Sequence, residues 1–240
     1  MQPAERLDLL VFGPHPDDIE IGLGGTIAKH TAAGHRVGLC DLTRGELGSN
    51  GTVEERAAEG EAARAVLGAL FRECLGWPDG GIGPAGPASN DAQVRAAASF
   101  IRRHRPRTVA IPHWHDRHPD HLAASETLTR ALFNSGLRKF DADGDPFRPD
   151  WVCYYFINDM SPASFVVDVS AHYETKRRAL ACYRSQFTAS AQGAVETRLT
   201  SPRFAQLIES RDAQFGAQAG VAFAEGVVVR EPVVREGLSK

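Results

Sequence analysis

Two short segments hold most of the residues in this chain that could do chemistry. His15-Pro16-Asp17-Asp18-Ile19-Glu20 sets a histidine beside two adjacent aspartates, and His113-Trp114-His115-Asp116-Arg117-His118-Pro119-Asp120-His121 puts four histidines and two aspartates into nine residues. Imidazoles and carboxylates are the donor inventory of a catalytic zinc site, which takes about three protein ligands and leaves a position for water; a structural zinc site is closed by four ligands and is usually rich in thiolates. Each segment alone has an ordinary explanation, since an Asp before a helix caps it and surface histidines are common in loops. Their pairing at the ends of two strands favours a site.

The strands are read from apolar runs rich in Val, Ile and Leu at Leu9–Phe12, Val37–Leu42, Thr108–Ile111, Trp151–Phe156 and Phe165–Val169. Helices are predicted at about Leu23–Ala33, Val53–Leu70, Asp91–Arg105, His121–Asn134, Ala171–Gln186 and Pro202–Ala219. The alternation predicts an α/β fold, a single-domain Rossmann-like three-layer sandwich over residues 1–240 with a mainly parallel sheet. Both chemical segments then follow a strand directly, at the carboxyl ends where open α/β sheets bind ligands. Val227–Val229 reads as a short last strand with no assigned place, and the Gly- and Pro-rich stretches Asp79–Ser89 and Lys139–Pro149 read as loops.

Bulk properties exclude several partners. With 27 Lys and Arg against 30 Asp and Glu, a net charge of −3, the chain carries no footprint for nucleic acid or an anionic membrane. The N-terminal run LDLLVF is too short for a signal peptide or a membrane span, so a cytoplasmic protein with a small-molecule partner is expected. Cys40, Cys74, Cys153 and Cys182 are scattered without a CxxC pair and read as free thiols. Gly22-Leu23-Gly24-Gly25 does not form a dinucleotide fingerprint, because the sixth position from Gly22 is Ile27; the glycines are read as letting a helix pack close to the sheet.

The segments His15–Glu20 and His118-Pro119-Asp120-His121 resemble the two signature motifs of the LmbE/PIG-L family of zinc-dependent N-acetyl-sugar deacetylases. The likeness continues through Thr43-Arg44-Gly45-Glu46-Leu47-Gly48, Glu55-Arg56, Tyr183-Arg184-Ser185-Gln186-Phe187 and Phe223-Ala224-Glu225-Gly226, and so covers nearly the whole chain. Within the family it is most similar to the branch that deacetylates N-acetylglucosaminyl malate in bacillithiol biosynthesis. Deacetylases of chitin-type oligosaccharides or of other amino-sugar conjugates are the alternative, and a non-catalytic metal- or sugar-binding protein is the alternative of a different class.

The resemblance implies that His15, Asp18 and His121 hold one Zn²⁺ per subunit, a mixed nitrogen and oxygen set that also accepts other divalent metals such as Fe²⁺. It implies Asp17 as the general base, His118 as a protonated imidazole that stabilises the oxyanion, Asp120 as the residue that orients an imidazole, and Arg56 as a substrate contact. The implied substrate is an N-acetylated amino sugar, and the implied assembly is a homo-oligomer, often hexameric in that branch. Glu20, Asp116, Arg117, His113 and His115 are left without a role, as is the Tyr183–Phe187 segment. His30, His35, His104 and His172 have no carboxylate partner in a motif and are read as surface or core residues.

Overall fold

A computed structural model describes residues 6–83, 87–188, 195–234 and 237 of the chain. In chain order the elements are β1 (Leu9–Gly13), α1 (Asp18–Ala32), β2 (Val37–Thr43), α2 (Val53–Leu67), β3 (Phe71–Trp77), α3 (Pro87–His104), β4 (Thr108–Pro112), α4 (Pro119–Ser135), β5 (Trp151–Tyr155), β6 (Phe165–Asp168), α5 (Tyr173–Leu180), α6 (Arg184–Phe187), α7 (Pro202–Ala219) and β7 (Ala224–Val228). The strands form one seven-stranded sheet in the order β3-β2-β1-β4-β5-β7-β6. All neighbours pair in parallel except β7, which runs antiparallel between β5 and β6.

Helices cover both faces, so central strands are apolar without alternation. Every residue of β1 is buried. One core under the sheet gathers Leu10, Phe12, Phe100, Ile101 and Leu128, and a second on the opposite face gathers Val11, Ile19, Ile27, Leu39 and Tyr155. The chain leaves β1 towards β2 on one side and places β4 on the other, so the order reverses between β1 and β4. The crevice at the carboxyl ends of these two strands is where such folds bind ligands, and both chemical segments begin there.

Four elements differ from the sequence reading. β3 was not expected, because Arg72 and Glu73 interrupt its apolar pattern; it is a sheet-edge strand, paired only with β2, and most of its residues are partly exposed. Inside the sheet's edge the Arg72 guanidinium is nevertheless neutralised, by both oxygens of Asp41 at 2.6 and 2.7 Å and by Glu20 at 2.6 Å. α1 starts at Asp18 rather than Leu23, and Leu23 is where its backbone breaks, at φ −134° and ψ 17°. α3 begins at Pro87, inside the expected Asp79–Ser89 loop, of which residues 84–86 lie outside the described residues. The expected Ala171–Gln186 helix is divided into a 3₁₀ turn, α5 and α6.

The glycines after β1 do pack closely. A Cβ on Gly22 would stand 2.2 Å from Tyr155 Cδ2 and 2.9 Å from Phe156 O. Tyr155 cannot yield cheaply, because it is fully buried and its hydroxyl donates to Phe12 O at 2.7 Å. Gly22→Ala is therefore expected to overpack the site's foundation by about 2 kcal/mol and to lower Tm by roughly 4–8 °C in a thermal melt. An unchanged Tm would mean that Tyr155 relaxes freely.

Candidate active site and metal centre

The first segment forms the turn from β1 into α1. Asp17 is the N-cap of α1 and sits at φ 112°, a left-handed conformation that non-glycine residues rarely adopt. Such strain persists where the surroundings over-determine it, and here it turns two consecutive carboxylates into one buried pocket. Asp17 is 3% exposed and Asp18 4%. The second segment makes the corresponding turn from β4 into α4: His118 is the N-cap, Pro119 opens the helix, and His121 lies in its first turn. Two helix N-termini thus face each other across the crevice, a field that favours carboxylates.

Asp18 is the meeting point. Its Oδ2 lies 3.1 Å from His15 Nδ1 and 3.2 Å from His121 Nε2. A tetrahedral ion with ligands at 2.0–2.1 Å keeps them about 3.3 Å apart, close to those separations. The far nitrogen of each ring is also held by carboxylates: His15 Nε2 lies 3.1 Å from Asp120 Oδ2 and 3.2 Å from Asp79 Oδ1, and His121 Nδ1 lies 3.1 Å from Asp116 Oδ1. One nitrogen towards a shared donor and the other on a carboxylate is how metal-ligating histidines are oriented. Asn158 steadies Asp116, with its amide N and Nδ2 each 3.0 Å from a carboxylate oxygen.

Charge follows geometry. Burial alone would raise the Asp18 carboxyl, but the neighbouring His121 and His15 overcome it and hold Asp18 well below the usual carboxylate range. His121 is lowered by burial and raised more strongly by Asp18 and Asp116, to about 9, and His15 is raised by Asp120, Asp18 and Asp79 despite its burial. Asp17 differs: burial pushes it up to about 8, with Arg56 opposing and Asp18 reinforcing. Two adjacent carboxyls are thereby driven in opposite directions, the arrangement that separates a base from a ligand.

The structure brings His15, Asp17, Asp18, His118, Asp120 and His121 together and gives Asp120, His118 and Arg56 contacts that their spacing alone did not specify. Asp120 does not hold the His118 ring with its carboxylate, which bonds His15 and the Gly80 amide. Instead the Asp120 backbone N–H donates to His118 Nδ1 at 3.2 Å. With Nδ1 accepting, Nε2 is the ring nitrogen left to donate. Burial, His121 and His15 all lower its pKa. Arg56 is 4% exposed and donates to Gly45 O and Pro16 O at 2.8 Å each, with Nη2 3.7 Å from Asp17 Oδ2. It ties the Arg44–Gly48 turn to the Asp17 loop.

Asp79 and Asp116 are site residues that sequence reasoning did not identify. Asp79 follows β3, so missing the strand hid it, whereas Asp116 was within the second segment but looked like any solvated charge. Asp79 also accepts from Leu47 N at 2.9 Å. The Tyr183–Phe187 segment is now legible as an anchor: Ser185 donates twice to Glu59, and Gln186 Nε2 donates to Asn50 O at 2.7 Å. His113 is buried between Trp114 and Phe156, and His30 and His35 pair with each other away from the site.

Among the described residues, two triplets of donors lie within 4.8 Å of one another, His15–His118–His121 and His15–Asp79–Asp120. Both contain His15, and the first differs from the expected set by exchanging Asp18 for His118. The donor chemistry fits a divalent metal in either case, with imidazoles and carboxylates and no thiolate.

An α/β sheet with a buried His and Asp cluster at its switch point places the donor set of a divalent-metal site where such sheets bind ligands. Residues 10–132 match the PIG-L family, described as GlcNAc-PI de-N-acetylase, and the chain belongs to that family. It is 31% identical over 194 residues to the diacetylchitobiose deacetylase of Thermococcus kodakarensis, covering 75% of this chain and 70% of that one. It is 29% identical to a 1D-myo-inositol 2-acetamido-2-deoxy-alpha-D-glucopyranoside deacetylase of Saccharopolyspora erythraea, over 80% and 88% of the two chains. Among solved structures, the conserved protein TT1542 of Thermus thermophilus superposes with a TM-score of 0.86 at 41% identity, over 98% of this chain and 99% of that one. The protein is thus a metal-dependent N-deacetylase, and no helix among the described residues is long and apolar enough to cross a membrane.

Proposed function

We propose that the protein hydrolyses the acetamide of an N-acetylglucosaminyl conjugate, releasing acetate and the free amine, with one Zn²⁺ held by His15, Asp18 and His121. The single observation that carries the ligand set is the shared Asp18 oxygen, 3.1 and 3.2 Å from two imidazoles whose far nitrogens are both held by carboxylates. A divalent ion there supplies Lewis acidity, lowering the pKa of water and polarising a carbonyl. Asp17 takes the proton as water attacks the acetyl carbon and returns it to the departing nitrogen as the C–N bond breaks. His118 Nε2–H donates to the oxyanion, and its Nδ1 bond to the Asp120 amide fixes the direction. Arg56 positions Asp17, since two of its donors are already committed to the main chain.

The aglycone is the finer part of the proposal. N-acetylglucosaminyl malate is the first candidate from the sequence likeness, and chitin-type oligosaccharides are supported by the Thermococcus kodakarensis relative and by a guanidinium at Arg56 that is already engaged. Free-amine release from N-acetylglucosaminyl malate, diacetylchitobiose and N-acetylglucosamine, with and without a chelator, tests both levels. Chelator-sensitive turnover of the malate conjugate alone supports the bacillithiol branch. Turnover confined to the other two moves the substrate, and silence on all three refutes the proposal.

A further inference from the structure

The break in α1 at Leu23 exposes backbone groups inside the protein, where an unmet polar group costs about 1–3 kcal/mol. In an unbroken helix the Gly25 N–H would donate to the Ile21 C=O. Here Gly25 N–H donates to Glu225 Oε1 at 2.9 Å, Thr26 N–H donates to Glu225 Oε2 at 2.7 Å, and Ile21 C=O accepts from Arg211 Nη2 at 2.6 Å. A carboxylate from β7 caps the second half of α1, and a guanidinium from α7 caps the first half.

Arg211 reaches further. Its Nη1 donates to Phe156 O at 3.2 Å and Ile157 O at 2.7 Å, immediately before Asn158, the residue that steadies Asp116 beside His121. Ile21 is three residues beyond Asp18. One buried guanidinium therefore spans from the helix turn that carries Asp17 and Asp18 to the segment that supports His121. Its own position is fixed by a continuous ionic chain: Nε bonds Asp212 at 3.0 Å, Asp212 bonds Lys176 at 2.6 Å, and Lys176 bonds Glu225 at 2.7 Å. Lys176, Asp212 and Glu225 are at most 1% exposed, and the two cations balance the two anions.

A helix break, three close-packed glycines and four buried charges are a costly way to build a core, because apolar residues of similar volume are often at least as stabilising as a buried ion network. We infer that Arg211 and Glu225 are positioning residues for the metal centre: they hold the broken α1 and the Phe156–Asn158 segment at the separation that brings the Asp18 oxygen between the His15 and His121 rings. This rests on the metal reading above.

The test is the divalent-ion affinity of folded protein, measured with Zn²⁺ against a chromogenic chelator, in Arg211→Met, Arg211→Lys and Glu225→Gln, with Tyr173→Phe as control. Tyr173 donates to Asp212 at 3.1 Å, so its loss perturbs the same ionic chain while touching neither the helix break nor the Phe156–Ile157 carbonyls. Zn²⁺ binding about ten- to a hundredfold weaker is expected in Arg211→Met, with partial recovery in Arg211→Lys and a smaller loss in Glu225→Gln. Tyr173→Phe should lower Tm without changing affinity. If wild-type protein binds Zn²⁺ and every folded variant binds it equally well, the positioning role is wrong; if wild-type protein binds none, the metal reading fails instead. Should Arg211→Met not fold, Arg211→Lys and Glu225→Gln decide alone.

Discussion

Asp17→Asn should keep one equivalent of metal and lose turnover by about 10²- to 10⁴-fold, the usual contribution of a positioned general base. Asn is the informative replacement because it keeps the side chain's shape and tolerates the left-handed backbone at φ 112°, where Ala would add strain of its own. The Asp17 Oδ2 atom is buried without a hydrogen-bond partner, a costly state that a structural carboxylate would not adopt. The cost has a sign that can be checked in metal-free protein. A carboxyl whose pKa rises from 3.8 to about 8 on folding binds its proton more tightly in the native state, so it subtracts stability progressively as pH rises across that window. Metal-free Asp17→Asn should therefore be more stable than wild type at pH 8 and show less decline between pH 5 and 8 in denaturant melts. Full activity of this variant would sink the base assignment; reduced stability at pH 8 would show that the carboxylate's burial is offset by an interaction with Arg56.

What the sequence disclosed and what it hid divide along a physical line. Strands that are mostly apolar announce themselves, and β1, β2, β4, β5 and the edge strand β6 were legible in this way, β2 despite Asp41; the interior strand β7 was obscured by its buried Glu225 and Gly226. An edge strand need satisfy only one neighbour, so β3 carries Arg72 and Glu73 and reads as polar chain. That loss propagated, since Asp79 acquires meaning only once a strand end is placed beside β2. The spacing of His15, Asp17 and Asp18 and of His118, Asp120 and His121 revealed which residues gather. It could not reveal which nitrogen meets which carboxylate, so that Asp120 bonds His15 and that Arg56 lies buried against the Asp17 loop became visible only in the fold. Long-range partners leave the weakest trace: nothing near Gly25 predicts that Glu225, 200 residues away, would meet its amide.

The second large effect separates the two ways of reading the histidine cluster. If Asp18 completes the ligand set, Asp18→Ala and His121→Ala should both lose the ion, weakening Zn²⁺ binding by more than the roughly ten- to hundredfold that an outer partner costs, and activity should vanish with it. His118→Ala should then retain a stoichiometric ion and lose only the oxyanion contact, about 10²- to 10³-fold in kcat, with KM little changed. If instead His15, His118 and His121 were the ligands, His118→Ala would be the variant that empties and Asp18→Ala would keep its metal. The geometry favours the first outcome because His118 Nδ1 already accepts the Asp120 amide and the ring caps α4, whereas Asp18 Oδ2 lies between two rings and is held ionised by them. Metal analysis of the three purified variants beside wild type, read together with their kcat values, decides between a carboxylate that holds the ion and a carboxylate that only orients the rings around it.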